Sequence, residues 1–205
     1  MTEPAALRGL VLAGGMSTRL GRDKAAVTID GQTLLERAVA VVQGVVGDVH
    51  VAVHASQVNE PLRSRFRWIV DRSTGIGPAA GVLSAHVAEP AVAWLVLACD
   101  MPWVDRSALV EILAARVPER AGVGFWNEDL GGPEPLCALY EPATLAAFRR
   151  QVEADGNPSL RVWLASADVV LLKTPRAGVL DSINLRADLD RLAGAASDGM
   201  PFSKR

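Results

Sequence analysis

Short apolar runs alternating with stretches of helical spacing constrain the fold of this chain more than any other feature. Leu7–Ala13, Val49–Val53, Trp68–Val70 and Ala93–Ala98 are too short for core helices and are rich in Val, Leu and Ala, so they read as buried strands. Thr33–Val46 carries apolar residues at helical spacing and stops at Gly47. Gln57–Phe66 reads as a helix, and Pro78 opens another that runs to about Ala88, where its missing N–H costs nothing. Strands joined through helices run parallel, and a sheet of apolar strands is covered on both faces. The expected class is therefore α/β, with a doubly wound, mostly parallel sheet and helices on both faces.

After Ala98 the pattern changes. Asp105 or Ser107 caps a helix to about Arg116. Val123–Trp126 and Leu136–Tyr140 read as two strands flanking a loop that contains Asp129, Gly131, Gly132 and Pro133, which supplies an antiparallel edge. Helices follow at Thr144–Glu153 and Ser159–Ala165, with further edge strands at Val169–Leu172 and Val179–Ile183. A last helix is expected over Arg186–Leu192. With 205 residues there is room for one ordinary domain, taken as 1–193, and for a mobile tail over 194–205.

Composition narrows the partners. Basic and acidic residues number 21 and 23 with no long run of either sign, so neither a nucleic-acid surface nor an anionic membrane surface is signalled. No stretch reaches the roughly 20 apolar residues that span a bilayer, and the N-terminus lacks a signal-peptide layout. Cys99 and Cys137 lie in or beside apolar runs and form no CxxC pair. They read as buried thiols in a reducing, cytoplasmic setting. His50, His54 and His86 have no metal or triad spacing and read as surface or half-buried side chains, as the Trp and Phe residues read as packing.

Chemistry concentrates in the segment from Leu12 to Lys24. Gly14 and Gly15 follow the first strand, where bare backbone approaches an anion closely and aims N–H groups at it. Ser17 and Thr18 add hydroxyls, and Arg19 and Lys24, with Arg22 nearby, supply the charge a triphosphate needs. The spacing is neither GxxxxGK[ST] nor GxGxxG, which disfavours a P-loop ATPase and a dinucleotide-binding domain. The plain alternative is a glycine-rich turn with solvated cations.

Two carboxylates fall on the same rim as that segment. Asp100 ends the fourth strand, where a hard oxygen suits Mg²⁺, a cation that needs few protein ligands when phosphates are present. Its alternative is a cap on the turn before Pro102. Asp71 follows the third strand and accepts hydrogen bonds either from a base or ribose or from its own turn at Ser73 and Thr74. Between them the loop Gly75–Gly81 reads either as a lining of the base pocket or as a flexible connection.

These residues resemble the molybdenum cofactor guanylyltransferases, within the wider nucleotidyltransferase superfamily. Leu12-Ala13-Gly14-Gly15, Arg19-Leu20-Gly21, Asp23-Lys24, Gly77-Pro78-Ala79-Ala80-Gly81 and Cys99-Asp100-Met101-Pro102 carry the resemblance. Pro135–Tyr140, Ile183-Asn184 and Ala187-Asp188-Leu189 follow in the family's order, so the likeness spans about residues 7–192. It implies a single-domain, Rossmann-like fold and a nucleotide held by Leu12, Ala13, Gly14, Gly15, Lys24, His54, Asp71 and Asp100. It also implies Mg²⁺ on Asp100, and Asn184 near the reacting end. The family often has asparagine where His54 stands. Thr18 and Ala79 also depart from it, since arginine and leucine are common there.

The implied reaction is transfer of GMP from GTP to the phosphate of molybdopterin, with Arg19, Lys24 and Asp100 as catalytic groups. A molybdoenzyme or its chaperone is a possible recipient of the product. Basic candidates for the acceptor side are Arg149, Arg150, Arg161 and Lys173, with Arg161 the first choice. Asp181 is a candidate second carboxylate for the metal. The rival readings are a cytidylyltransferase for the same cofactor, a sugar-phosphate nucleotidyltransferase, and a non-catalytic GTP-binding adaptor.

Overall fold

A computed structural model describes residues 3–14, 23–183 and 188. The chain enters on β1 (Leu7–Leu12). After a single 3₁₀ turn at Lys24–Ala26 it forms a small hairpin, β2 (Thr28–Ile29) and β3 (Gln32–Thr33). Asp30 and Gly31 make its tight turn, both with positive φ, at 51° and 80°. Helix α1 (Leu34–Gln43) starts where Thr33 Oγ1 accepts from the Glu36 amide while Glu36 Oε2 accepts from the Thr33 amide, a reciprocal cap. Next come β4 (Val49–Val53), β5 (Trp68–Val70), α2 (Ala79–Ala88), β6 (Ala93–Ala98) and α3 (Arg106–Ala114). Asp105, rather than Ser107, caps α3, with Oδ1 accepting from the Ala108 amide at 3.0 Å. The second half supplies β7 (Gly122–Asn127), β8 (Gly132–Tyr140), α4 (Pro142–Asp155), α5 (Leu160–Ser166) and β9 (Val169–Leu172).

Seven of the strands form one sheet in the order β5-β4-β1-β6-β8-β7-β9. All pairings are parallel except those of β8, which runs against both β6 and β7. The α/β class and the two-faced covering are as expected, with the reversed strand set inside the sheet rather than at its margin. Alternate residues face opposite layers. Val11, Val51, Leu95 and Leu97 pack with Leu35, Val39 and Val42 of α1 and Leu109 and Ile112 of α3. Leu10, Ala52, Trp94 and Val96 pack with Val82 of α2, Leu145 and Phe148 of α4 and Leu160 of α5. Each fully buried Leu or Val contributes about 1.5–3 kcal/mol relative to exposure, so the floor under the site is stiff.

Register then fixes where function can sit. Leu12 pairs with Ala52 on one side and with Ala98 on the other, while Val53 pairs with Val70. The carboxyl ends of β1, β4, β5 and β6 are therefore level, and Gly14, His54, Asp71 and Asp100 follow them on one rim. Leu97 pairs with Cys137 of the reversed β8, so the start of β8 enters at that same rim.

Two expected elements do not form. Gln57–Phe66 is not a helix; single 3₁₀ turns at Ala55–Gln57 and Arg63–Arg65 replace it. Pro61 interrupts the stretch, since it offers no N–H and pushes the residue before it out of helical geometry. Val179–Ile183 is not an edge strand. It turns after Gly178, with the Asp181 amide donating to the Gly178 carbonyl at 3.1 Å, and buries Val179, Leu180 and Ile183. Its apolar run marks docking onto the core rather than pairing. The helix expected at Arg186–Leu192 and the tail lie outside the described residues, except that Asp188 is buried. Among the described residues no helix is long and apolar enough to cross a membrane.

Candidate active site

A cleft of about 560 Å³ opens over the level strand ends. Leu12, Ala13 and Gly14 run along its middle, with Ala52, His54 and Asp71 on one side and Cys99 and Asp100 on the other, and residues of the segment Ser73–Gly81 complete the lining. Leu136, midway along the reversed strand, also lines it. This is the carboxyl-edge position where doubly wound sheets bind ligands.

Lys24 reaches the end of β6. Its Nζ lies 3.0 Å from Asp100 Oδ2, with the two side chains 18% and 21% exposed. Local structure aims both groups. Lys24 opens the 3₁₀ turn that Asp23 caps, Asp23 Oδ1 accepting from the Ala25 amide at 3.1 Å. The backbone of Asp100 is fixed by its carbonyl, which accepts from the Ile183 amide at 2.8 Å. The late apolar segment thus locks the residue that ends the fourth strand.

Behind the cleft wall, Arg63 is fully buried. Its Nη1 and Nη2 donate to Asp23 Oδ2 and Oδ1 at 2.6 and 3.0 Å, and Nη2 also donates to the Ala13 carbonyl at 2.7 Å. Glu60 completes the set on Nη1. Burial works against the guanidinium charge, but Asp23 and Glu60 outweigh it and hold the group firmly protonated.

The base side of the cleft is built differently. Burial pushes the Asp71 carboxyl up to about 6, with His54 pulling it partly back. Asp71 Oδ1 is buried without a hydrogen-bond partner, an uncommon state that a ligand with N–H groups would relieve. Two glycines make room. A Cβ on Gly14 would sit 2.7 Å from Asp71 Oδ2, and one on Gly81 would sit 2.7 Å from the Ala52 Cβ and 2.9 Å from Leu12 Cδ2. His54 Nδ1 lies 3.3 Å from the Ser56 amide nitrogen and 2.9 Å from Ser56 Oγ, contacts that orient the ring.

Of the residues singled out in the sequence, Leu12, Ala13, Gly14, Lys24, His54, Asp71 and Asp100 line this one cleft. Gly15, Ser17, Thr18, Arg19, Arg22 and Asn184 lie outside the described residues. Arg161 is not at the cleft wall; its Nη1 donates to the Leu130 carbonyl on the β7–β8 turn at 3.2 Å. Arg149 pairs with Glu153 along α4 at 2.7 Å. Cys99 and Cys137 are buried free thiols, and burial pushes Cys99 up to about 12.

Two buried charged residues close to the cleft lining were not legible in the sequence. Arg63 is one of three arginines, at 63, 65 and 67, that nothing in the local sequence distinguishes. Glu134 sits at the start of β8, nearly buried, with Oε2 accepting from Asn127 and Oε1 from the Leu136 amide at 2.8 and 2.9 Å. Burial raises its carboxyl, and the negative field of Asp100 adds to that. Only its chain position before Pro135-Leu136 pointed toward the rim.

The donor chemistry suits a hard divalent cation shared with phosphates. Asp100 offers a carboxylate to the cleft, with the Lys24 ammonium on its Oδ2. Among the described residues no group of three or more His, Cys, Asp or Glu side chains forms a self-contained metal cage.

The family model described as the MobA-like NTP transferase domain matches residues 9–170. A molybdenum cofactor guanylyltransferase of Acidiphilium cryptum is 34% identical over 203 residues, covering 93% of this chain and 96% of that one. A molybdenum cofactor biosynthesis bifunctional protein of Synechocystis is 28% identical over 186 residues, covering 91% of this chain. The aligned region is 53% of that longer relative, so the chain spans about half its length. Among solved structures, molybdopterin-guanine dinucleotide biosynthesis protein A of Archaeoglobus fulgidus superposes with a TM-score of 0.75 at 23% identity, covering 93% of this chain and 99% of that one.

Proposed function

The chain belongs to the MobA-like NTP transferase family and is a nucleotidyltransferase, and from that premise we propose that it transfers GMP from GTP to the terminal phosphate of molybdopterin. The observation that carries the proposal is the convergence of Lys24, Asp100 and Asp71 on one cleft at the carboxyl edge of the sheet. An ammonium and a carboxylate stand at one end and a carboxylate with an unpaired oxygen at the other, a division that supports a nucleoside triphosphate as the ligand.

In this reading a phosphate oxygen of the acceptor forms a bond to the α-phosphorus of GTP. The bond from that phosphorus to the bridging oxygen breaks, and its electron pair leaves with pyrophosphate. The nucleophile is already anionic near neutral pH, so no general base is required. Lys24, Arg19 and the amides after β1 bind and orient the triphosphate, while Leu12, Ala13, Gly14 and Gly15 shape its approach. Mg²⁺ held by Asp100 would neutralise charge on the phosphates. Asp71 accepts from the N–H groups of guanine, with His54 beside it. Arg161 and Asn184 belong to the acceptor side, and the reaction takes place in the cytoplasm with delivery to a molybdoenzyme or its chaperone.

Calorimetry of GTP, CTP, ATP and UTP with Mg²⁺, followed by pyrophosphate release with molybdopterin, tests the proposal. Preference for GTP that Asp71→Ala abolishes, together with molybdopterin-dependent release, is expected. Preference for CTP transfers the chain to a cytidylyl reaction, and tight binding without release from any acceptor leaves a nucleotide-binding adaptor.

A further inference from the structure

Asp23 and Ala13 bracket the glycine-rich segment, ten residues apart in sequence, and one buried side chain holds both. The guanidinium of Arg63 takes the two oxygens of Asp23 at 2.6 and 3.0 Å and the Ala13 carbonyl at 2.7 Å. Arg63 comes from a third element, the single turn Arg63–Arg65, which is itself fixed by backbone bonds from Phe66 to Arg63 and from Ser64 to Glu60. It does not line the cleft, whereas Ala13, Asp23 and Lys24 do.

We infer that Arg63 is a positioning residue, a clamp that holds Ala13 and Asp23 together and so sets Lys24 against Asp100. The inference rests on the nucleotidyl-transfer reading of the cleft. Burying a guanidinium is costly, and a well-packed apolar group in its place is commonly neutral or better for stability. A planar fork earns its position here by geometry. Only arginine presents paired donors to one carboxylate and a further N–H to a carbonyl at the same time. The line of force is short. Arg63 orients Asp23, Asp23 caps the turn Lys24–Ala26, and that turn carries Lys24 to within 3.0 Å of Asp100 Oδ2. Without the clamp the Ala13 carbonyl loses this donor, and Asp23 loses both guanidinium contacts.

Arg63→Lys keeps the charge and removes the fork. Asp23→Asn keeps Arg63 on Glu60 and Ala13 and weakens only the loop end. Both variants are compared with the unaltered protein and with Arg65→Ala, which removes an exposed arginine from the same turn. The readouts are steady-state pyrophosphate release with GTP and molybdopterin, and amide hydrogen exchange at Ala25, Ala26 and Val27. A displacement of about 1 Å at Lys24 corresponds to a loss of roughly 100-fold in kcat/KM. The expected result is a loss of that size in both variants, expressed mainly in kcat, with faster exchange at residues 25–27 and unchanged exchange in β1 and β6. Arg65→Ala behaves as the unaltered protein. Normal kcat/KM and normal exchange at 25–27, with only a lower melting temperature, overturn the inference and make Arg63 a structural ion pair. If Arg63→Lys fails to fold, Asp23→Asn decides by the same two readouts. If the unaltered protein releases no pyrophosphate, the functional reading fails by itself, and exchange at 25–27 with and without Mg²⁺ and GTP still decides the clamp.

Discussion

Lys24 Nζ lies 3.0 Å from Asp100 Oδ2, a contact between residues 76 apart in the sequence. One partner follows the glycine-rich segment and the other ends β6, so the contact closes the cleft floor across the switch point of the sheet. Both side chains are about one-fifth exposed. A mostly buried pair of this kind gains little net stability, because desolvation of the two charges offsets their attraction, so stability does not explain its placement. The pair is better understood as a cation and a carboxylate held ready for a charged ligand.

Lys24→Ala and Asp100→Ala are therefore expected to separate activity from folding. Removing one preorganised charge from a phosphate-transfer site costs roughly 100- to 1000-fold in kcat, while the protein stays folded. Pyrophosphate release and a thermal scan on the same samples check this. Turnover within a few-fold of the unaltered protein in either variant removes that residue from the proposed chemistry.

Gly14→Ala and Gly81→Ala should fail differently. The new Cβ on Gly14 meets the Asp71 carboxylate at 2.7 Å, the mobile end of a side chain, so that carboxylate shifts and nucleotide affinity falls while the fold persists. On Gly81 it meets the Ala52 Cβ at 2.7 Å, which has no rotamer in which to retreat. Overpacking there is expected to destabilise by about 1–3 kcal/mol. Urea unfolding beside GTP titration distinguishes the two, and equal stability losses would count against this division.

A third prediction concerns the opposite rim. Arg116 Nε and Nη2 donate to Glu141 Oε1 and Oε2 at 2.6 and 3.0 Å, and Nη2 also holds the Ala5 carbonyl at 2.9 Å. Glu141 is only 3% exposed, so Arg116→Ala strands a buried carboxylate and is expected to cost about 3–5 kcal/mol. The double variant Arg116→Met with Glu141→Leu should regain most of that. Neither change should alter kcat/KM, because this end of the sheet faces away from the cleft.

How far the sequence reveals the site depends on what each residue's position requires. The strand ends that carry Gly14, Asp71 and Asp100 were legible because a largely apolar run followed by Gly or Asp states both a buried strand and its terminus. His54 was legible only by its place after β4. Arg63 was hidden because three arginines at 63, 65 and 67 share one local pattern, while burial distinguishes only the first. The reversal of β8 was partly visible as a hairpin. Its insertion beside β6 is a long-range pairing with no local signature. The same holds for Val179–Ile183, where an apolar run describes burial equally well whether it pairs or merely docks.

Asp71 supplies the last prediction. Burial raises its carboxyl from the ordinary 3.8 to about 6 in the folded protein. Between about pH 4 and 6 the unfolded chain has lost this proton while the folded protein keeps it, so this group lowers stability as pH rises through that window. Above about 6 both states are ionised and the cost is constant. Asp71→Asn should therefore raise the melting temperature at pH 7 relative to the unaltered protein and leave it nearly unchanged near pH 3.5. Binding has the opposite slope, because the guanine N–H groups of the proposed complex require the carboxylate. GTP affinity is expected to fall about tenfold per pH unit below 6 in the unaltered protein. Phosphate titration affects both proteins alike, so the difference between them isolates Asp71. Calorimetry from pH 5 to 8 measures it, and parallel profiles for the two proteins would take Asp71 out of guanine recognition.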